Sequence, residues 1–91
     1  MRFRACPEVA AEALADELVL VHLGRGSTFR LNRTGKRVWE LVREGRTAEE
    51  MAALLHNAWS VPSGRLEADV RRVLADLVRE QLLEPIAEKV E

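Results

Sequence analysis

Glu17-Leu-Val-Leu-Val-His-Leu-Gly-Arg-Gly-Ser-Thr-Phe-Arg-Leu-Asn32 is the stretch on which the fold turns. Glu17 to Leu23 is a leucine- and valine-rich run that ends in Gly24-Arg25-Gly26-Ser27, a turn with two residues free to adopt positive φ. Thr28 to Leu31 then alternates, with Phe29 and Leu31 on one face and Thr28 and Arg30 on the other. Two apolar runs joined by a glycine turn predict an antiparallel hairpin. A lone hairpin is marginal in water, so its apolar face needs a surface to rest on.

That surface is helical. Asn32 is a good N-cap, and Val38, Leu41 and Val42 follow at helical spacing with Trp39 beside them. Gly45 stands where a helix end favours a left-handed residue. Thr47-Ala-Glu-Glu50 has the form of a capping box, opening a second helix with Met51, Leu54, Leu55 and Ala58 on one face. Pro62-Ser63-Gly64 breaks the chain, and a third helix is expected to start between Ser63 and Leu66 and run to about Gln81, with Leu66, Val70, Val73, Leu74 and Leu77 on its buried stripe. Leu82-Leu83-Glu84 before Pro85 fits a short strand, and Glu88 to Glu91 a frayed tail. Upstream, Val9 to Ala13 suits a short strand or a helix equally. Strands followed by three capped helices outline an α+β domain of the winged helix-turn-helix type; a three-helix bundle with an appended hairpin is the alternative.

At 91 residues the chain has room for one core, so residues 1–91 are read as a single domain. It is 47% hydrophobic and 32% charged, a globular mixture. Its formal net charge of −1 argues against a dedicated binder of phosphate backbones. Cys6 is the one cysteine, which excludes an internal disulfide and fits the reducing cytoplasm. Met51 to Leu55, the longest apolar run, is too short to cross a bilayer, and the first residues lack a signal-peptide layout.

Catalysis needs titratable groups that converge, and the supply is thin. His22 falls in a strand and His56 near a helix end, neither with an acid, cysteine or second histidine at metal-ligand spacing. Glu40, Glu44, Glu49 and Glu50 read as solvated helix faces, and Ser27, Ser60 and Ser63 as turn and cap residues. Gly24-Arg-Gly26 is too short for a phosphate-binding fingerprint and precedes a strand. No catalytic residue, metal site or cofactor is expected. A helix-turn-helix raises DNA binding, but the outward positions of the third helix are Glu67, Asp69, Arg71, Arg72, Asp76, Arg79 and Glu80, four acids against three bases. Peptide capture remains, because an unprotected hairpin edge can recruit another strand. The competing reading hides that edge under the N-terminal segment.

The ordered set Leu18-Val-Leu-Val21, Gly26-Ser-Thr-Phe-Arg-Leu-Asn-Arg-Thr-Gly35, Val38-Trp39, Gly45-Arg-Thr47, Glu50-Met51 and Asp69-Val70 with Leu74 and Leu77 resembles the PqqD-like proteins. These are recognition elements for ribosomally made, modified peptides. Phe29 ahead of Leu-Asn, together with Trp39, is more similar to the stand-alone form from lasso-peptide pathways than to the chaperone of pyrroloquinoline quinone synthesis, which works with a radical-SAM enzyme.

The resemblance implies a three-stranded sheet with three helices. It also implies binding of a precursor's leader segment as an antiparallel strand on the second hairpin strand, and presentation to a leader peptidase and a cyclase. Related lasso leaders carry a Tyr-x-x-Pro-x-Leu stretch whose apolar side chains fill pockets there. The candidate contacts are Ser27, Thr28, Phe29, Arg30 and Leu31 on the strand, and Asp69, Arg72, Val73, Asp76 and Leu77 on the third helix. Val73 with Asp69 and Asp76 is one flank of that helix and Leu74 with Val78 the other; the sequence leaves open which one faces the hairpin.

Overall fold

A computed structural model describes residues 2–59 and 63–86. The elements run β1 (Arg2–Ala5), β2 (Val9–Leu14), β3 (Glu17–His22), β4 (Ser27–Leu31), α1 (Arg33–Arg43), α2 (Ala48–Trp59), α3 (Ser63–Arg79) and β5 (Leu83–Ile86). Pro62 and the tail from Glu88 lie outside the described residues.

The hairpin forms as expected. β3 pairs with β4 from Leu18↔Leu31 to His22↔Ser27, and Gly26 takes φ +69° in the turn. Leu18, Leu20 and His22 face the core while Val19 and Val21 face out, the period of two expected of a sheet with one covered face. Val9 to Leu14 settles as a strand, pairing with β3 to give the order β2-β3-β4. The expected three-stranded antiparallel sheet and three helices are therefore present.

A second, two-stranded sheet joins β1 to β5, with Phe3 opposite Pro85 and Arg4 bonded to Glu84 at 2.7 Å. Each of its strands has four residues, too few for a periodic pattern to stand out in the sequence. It exists because Phe3 and Ala5 pack against the main core and hold the two chain ends together.

Asn32 caps α1 as predicted, its side-chain oxygen accepting the Gly35 N–H at 3.0 Å. A larger residue at Gly35 would crowd the strand end: a Cβ there would stand 2.9–3.0 Å from Leu31 side-chain atoms. Strand β4 thus passes into α1 with the Leu31 side chain folded against the first helical turn. At the other end Gly45 takes φ +82°, Gly45 N–H reaches the Val42 carbonyl and Arg46 N–H the Leu41 carbonyl, a Schellman ending. The capping box closes in both directions: Glu50 N–H donates to Thr47 Oγ1 at 3.1 Å and Thr47 N–H to Glu50 Oε1 at 2.8 Å. Hydrogen bonding to Thr47 N–H holds the Glu50 carboxyl below its ordinary range.

Two helical expectations need correction. The buried stripe of α2 is Ala48, Met51, Ala52 and Leu55, whereas Leu54 is 37% exposed and Ala58 is exposed. With small alanines on the packed side, the stripe turns away from Leu54. Helix α3 begins at Ser63, within its expected start, but ends at Arg79 rather than Gln81, where Gln81 adopts φ +63° and Leu82 N–H reaches back to the Leu77 carbonyl. Gln81 therefore fills a left-handed position usually given to glycine, and the chain is turned into β5.

The core draws on Leu20, Leu31, Val38, Trp39, Leu41, Met51, Leu55, Leu66, Val70, Leu74, Leu77, Leu82 and Leu83. Among the described residues no helix is long and apolar enough to cross a membrane.

Thr47→Ala removes the cap from the start of α2 and should cost about 1 kcal/mol in urea unfolding. Because the Glu50 pKa is lowered on folding, its contribution is present above the unfolded carboxylate range and is lost as pH falls through the lowered value. The stability difference between the parent and a Glu50→Ala variant should therefore shrink in acid.

Candidate functional site

Two hydrogen bonds fix which main-chain groups the sheet leaves unused. Leu23 N–H donates to the Glu8 carbonyl at 2.8 Å, so the odd residues of β3 point toward β2. Gly26 N–H donates to the His22 carbonyl at 2.8 Å, so the even residues point toward β4. The pairs Leu18↔Leu31, Leu20↔Phe29 and His22↔Ser27 consequently carry the β3–β4 hydrogen bonds. Thr28 and Arg30 lie between them, and their N–H and C=O groups point away from β3 over an edge that no other described strand occupies. The N-terminal segment does not cover it, since β2 pairs on the far side of β3 and β1 pairs with β5.

Beside this edge, α3 forms a second wall. A cleft of about 320 Å³ is lined by Asn32 and Thr34 at the start of α1 and by Arg65, Asp69, Arg72 and Val73 on α3. The Asp69/Val73 flank therefore faces the end of the hairpin, which decides between the two flanks. Leu74 and Val78 line a different cleft with Phe3, Ala48, Ala75 and Pro85. At the hairpin turn the two walls come together, where Arg25 Nη1 reaches the Glu80 carbonyl at 3.5 Å. The groove is thus open beyond Leu31 and bridged at its Ser27 end.

The candidate contacts divide by depth. Thr28, Arg30 and Arg72 are exposed, and Ser27, Phe29, Asp69, Val73 and Asp76 are half-buried. Leu31 and Leu77 are buried members of the core, at 5% and 0% exposure, so they support the site from beneath. Phe29 and Val73 both pack against the core, and Val73 also lines the cleft. Asp69 is held by Arg72 at 2.8 Å and Arg65 at 4.0 Å, which forms a charged rim above Val73. Asn32, Thr34 and Arg65 were missing from the sequence reading. Asn32 reads as a cap and Arg65 precedes the apolar stripe of α3; only the fold brings Asn32 and Thr34 up to Arg65.

Arg65 reverses the tally within α3, four arginines against Glu67, Asp69 and Asp76 with Glu80 just past its end, and these arginines are engaged. Arg71 bonds Glu67 at 3.1 Å, Arg72 bonds Asp69, and Arg79 bonds Asp76 at 2.6 Å. Such a helix presents a neutralised face to a phosphate lattice. Trp39 is core, at 3% exposure, whereas Trp59 is half-buried with Arg33 over its ring at 4.9 Å. Burial, and secondarily Glu84, raises the Cys6 thiol pKa, the opposite of activation. His22 is buried, and its Nδ1 accepts the Arg25 N–H at 3.2 Å, a structural task in the turn.

The family model described as coenzyme PQQ synthesis protein D (PqqD) matches residues 17–83, from the first residue of β3 to the first of β5. The chain belongs to the PqqD family. Among solved structures, "TbiB1 in Complex with the TbiA(beta) Leader Peptide" is similar at 34% identity and TM-score 0.84, covering 93% of this chain and 99% of that one. A lasso peptide synthetase B1 complexed with a leader peptide shares the fold at 21% identity and TM-score 0.85, over 93% of this chain and all of that one. The PqqD part of Methylobacterium extorquens PqqCD, described as a stand-alone recognition element for ribosomally synthesised and post-translationally modified peptides, is 25% identical with TM-score 0.75, over 91% and 88% of the two chains. No curated protein matches the chain. PqqD-family membership agrees with the resemblance in the Leu18 to Leu77 motifs.

The hydrogen-bond phase has a direct signature. In the free protein the amides of Thr28 and Arg30 should exchange with deuterium faster than that of Phe29, as read by NMR. Equal protection of all three would show the edge to be covered.

Proposed function

We propose that this protein binds the leader segment of a ribosomally synthesised precursor peptide, of the lasso type, and delivers it to a leader peptidase and cyclase. The leader adds as an antiparallel strand to β4, using the outward groups of Thr28 and Arg30. The α3 flank of Asp69, Arg72, Val73 and Asp76 closes over it. The observation that carries this reading is an unprotected strand edge lying beside a side-chain cleft. The edge supplies main-chain affinity and the cleft selects among side chains. Ser27, Phe29 and Leu31 hold the strand from the β3 side, and Leu77 supports the floor.

The similar structures support the same reading. Two contain a leader peptide, one of them at 34% identity and the other a lasso peptide synthetase B1. The family match favours one alternative, a PqqD-type chaperone serving a radical-SAM enzyme in quinone synthesis. The two readings separate by which precursor binds. A catalytic role is disfavoured by a thiol whose pKa is raised and a histidine committed to a turn. DNA binding is disfavoured by the paired arginines of α3. The protein is placed in the cytoplasm, where ribosomal precursors are made, with no membrane, metal or cofactor required.

Thr28→Pro removes an outward N–H and should abolish binding of a lasso leader in calorimetry while circular dichroism stays unchanged. Val73→Ala should weaken binding by roughly 2 kcal/mol, close to thirtyfold, through loss of an anchor. A folded Thr28→Pro variant that binds like the parent would refute strand addition on this edge. In parallel, a duplex DNA mobility assay at physiological salt should give no shift.

A further inference from the structure

The main sheet has a second edge that no described strand pairs with. β2 is the outer strand opposite β4, and five of its six residues are exposed. Because Leu23 N–H bonds to the Glu8 carbonyl, Ala10, Glu12 and Leu14 spend their main-chain groups on β3. The groups of Ala11 and Ala13, with the Val9 carbonyl, therefore point outward; the Val9 N–H turns back to the Cys6 carbonyl at 3.2 Å. The devices that usually protect an edge are missing here. Val9-Ala-Ala-Glu-Ala-Leu14 has no proline or lysine, its register with β3 runs without a bulge, and Glu12 is its one charge.

We propose that β2 pairs with β2 of a second copy, antiparallel about a two-fold axis at Ala11, to join two domains through a continuous six-stranded sheet. The occupant follows from what this edge lacks and from its symmetry. On the core side the helices stop short, leaving Ala11 and Ala13 exposed, so no helix wall selects a foreign side chain as α3 does at β4. What remains is main-chain pairing, and the strand is complementary to itself. Centring on Ala11 sets its outward groups against those of the second Ala11, and Ala13 N–H against the Val9 carbonyl, for about four hydrogen bonds.

In that register Glu12 lies across from Ala10, and the two carboxylates are diagonal neighbours. Centring on Glu12 is excluded, because its main-chain groups are spent on β3 and the two carboxylates would face each other. Leu14, 48% exposed, gains cover beside Glu8 of the second copy. Both β4 edges remain free at the far ends of the joined sheet, so a dimer could hold two peptides. The small side chains make the contact weak and reversible.

Sedimentation velocity on the full chain tests this. Between roughly 5 and 500 µM the 10.3 kDa monomer should convert reversibly to a species of twice that mass. Ala11→Pro should weaken association at least about tenfold while leaving the circular dichroism spectrum and calorimetric leader binding unchanged. If Ala11→Pro disturbs folding, Ala11→Lys serves instead by placing two ammonium groups across the axis. Glu12→Gln should tighten association by relieving the diagonal repulsion. A parent that stays monomeric throughout, or folded Ala11 variants that associate as the parent does, would overturn the proposal. Either outcome is independent of leader binding, which uses the opposite edge.

Discussion

The structure depends on the contact between Leu31 and Gly35. Where the last residue of β4 meets the first turn of α1, a side chain fills the space that any Cβ at position 35 would claim. Asn32 closes the helix start at the same point, and Leu31 itself is buried in the core. This junction sets the angle at which the sheet meets the helices. Through α1 it also places Asn32 and Thr34 opposite α3. A groove bounded by a strand edge and a helix flank thus follows from a local packing requirement five residues long.

Much of this was legible in the sequence, because the main signals are local. The hairpin announced itself by an apolar run, a glycine turn and strict alternation. The Thr47–Glu50 box and Gly45 marked helix ends by chemistry that acts over three or four residues. The illegible parts were those decided by distant contacts. β1 and β5 lie at opposite ends of the chain, and each is too short to declare itself. Val9 to Leu14, rich in alanine, becomes a strand because β3 offers it a partner. The exposure of Leu54 reflects the side of α2 that α3 covers, which no helical period can specify.

The candidate site divides along the same line. Thr28 and Arg30 could be named from alternation alone, whereas their outward hydrogen-bond phase depends on the geometry of the Leu23–Glu8 and Gly26–His22 bonds. The flank of α3 was ambiguous in sequence because Val73 and Val78 lie on either side of one buried stripe. The structure separates them into different clefts, so that α3 serves as a partition between a polar-rimmed groove and a more apolar hollow. Arg65 entered the groove because α3 starts earlier than its apolar pattern suggests.

The alternating phase of β4 gives its edge a grain. Only every second residue offers main-chain groups, so a strand lying there can be displaced without losing its bonds only in steps of two residues, about 7 Å. A shift of one residue would turn every side chain to the wrong face as well as misalign the hydrogen bonds. Errors of placement are thereby quantised, and the smallest permitted error moves a side chain beyond the reach of the cleft it should have filled. Positional accuracy of this kind requires no rigid clamp. It comes from the pleat itself, whatever strand lies there.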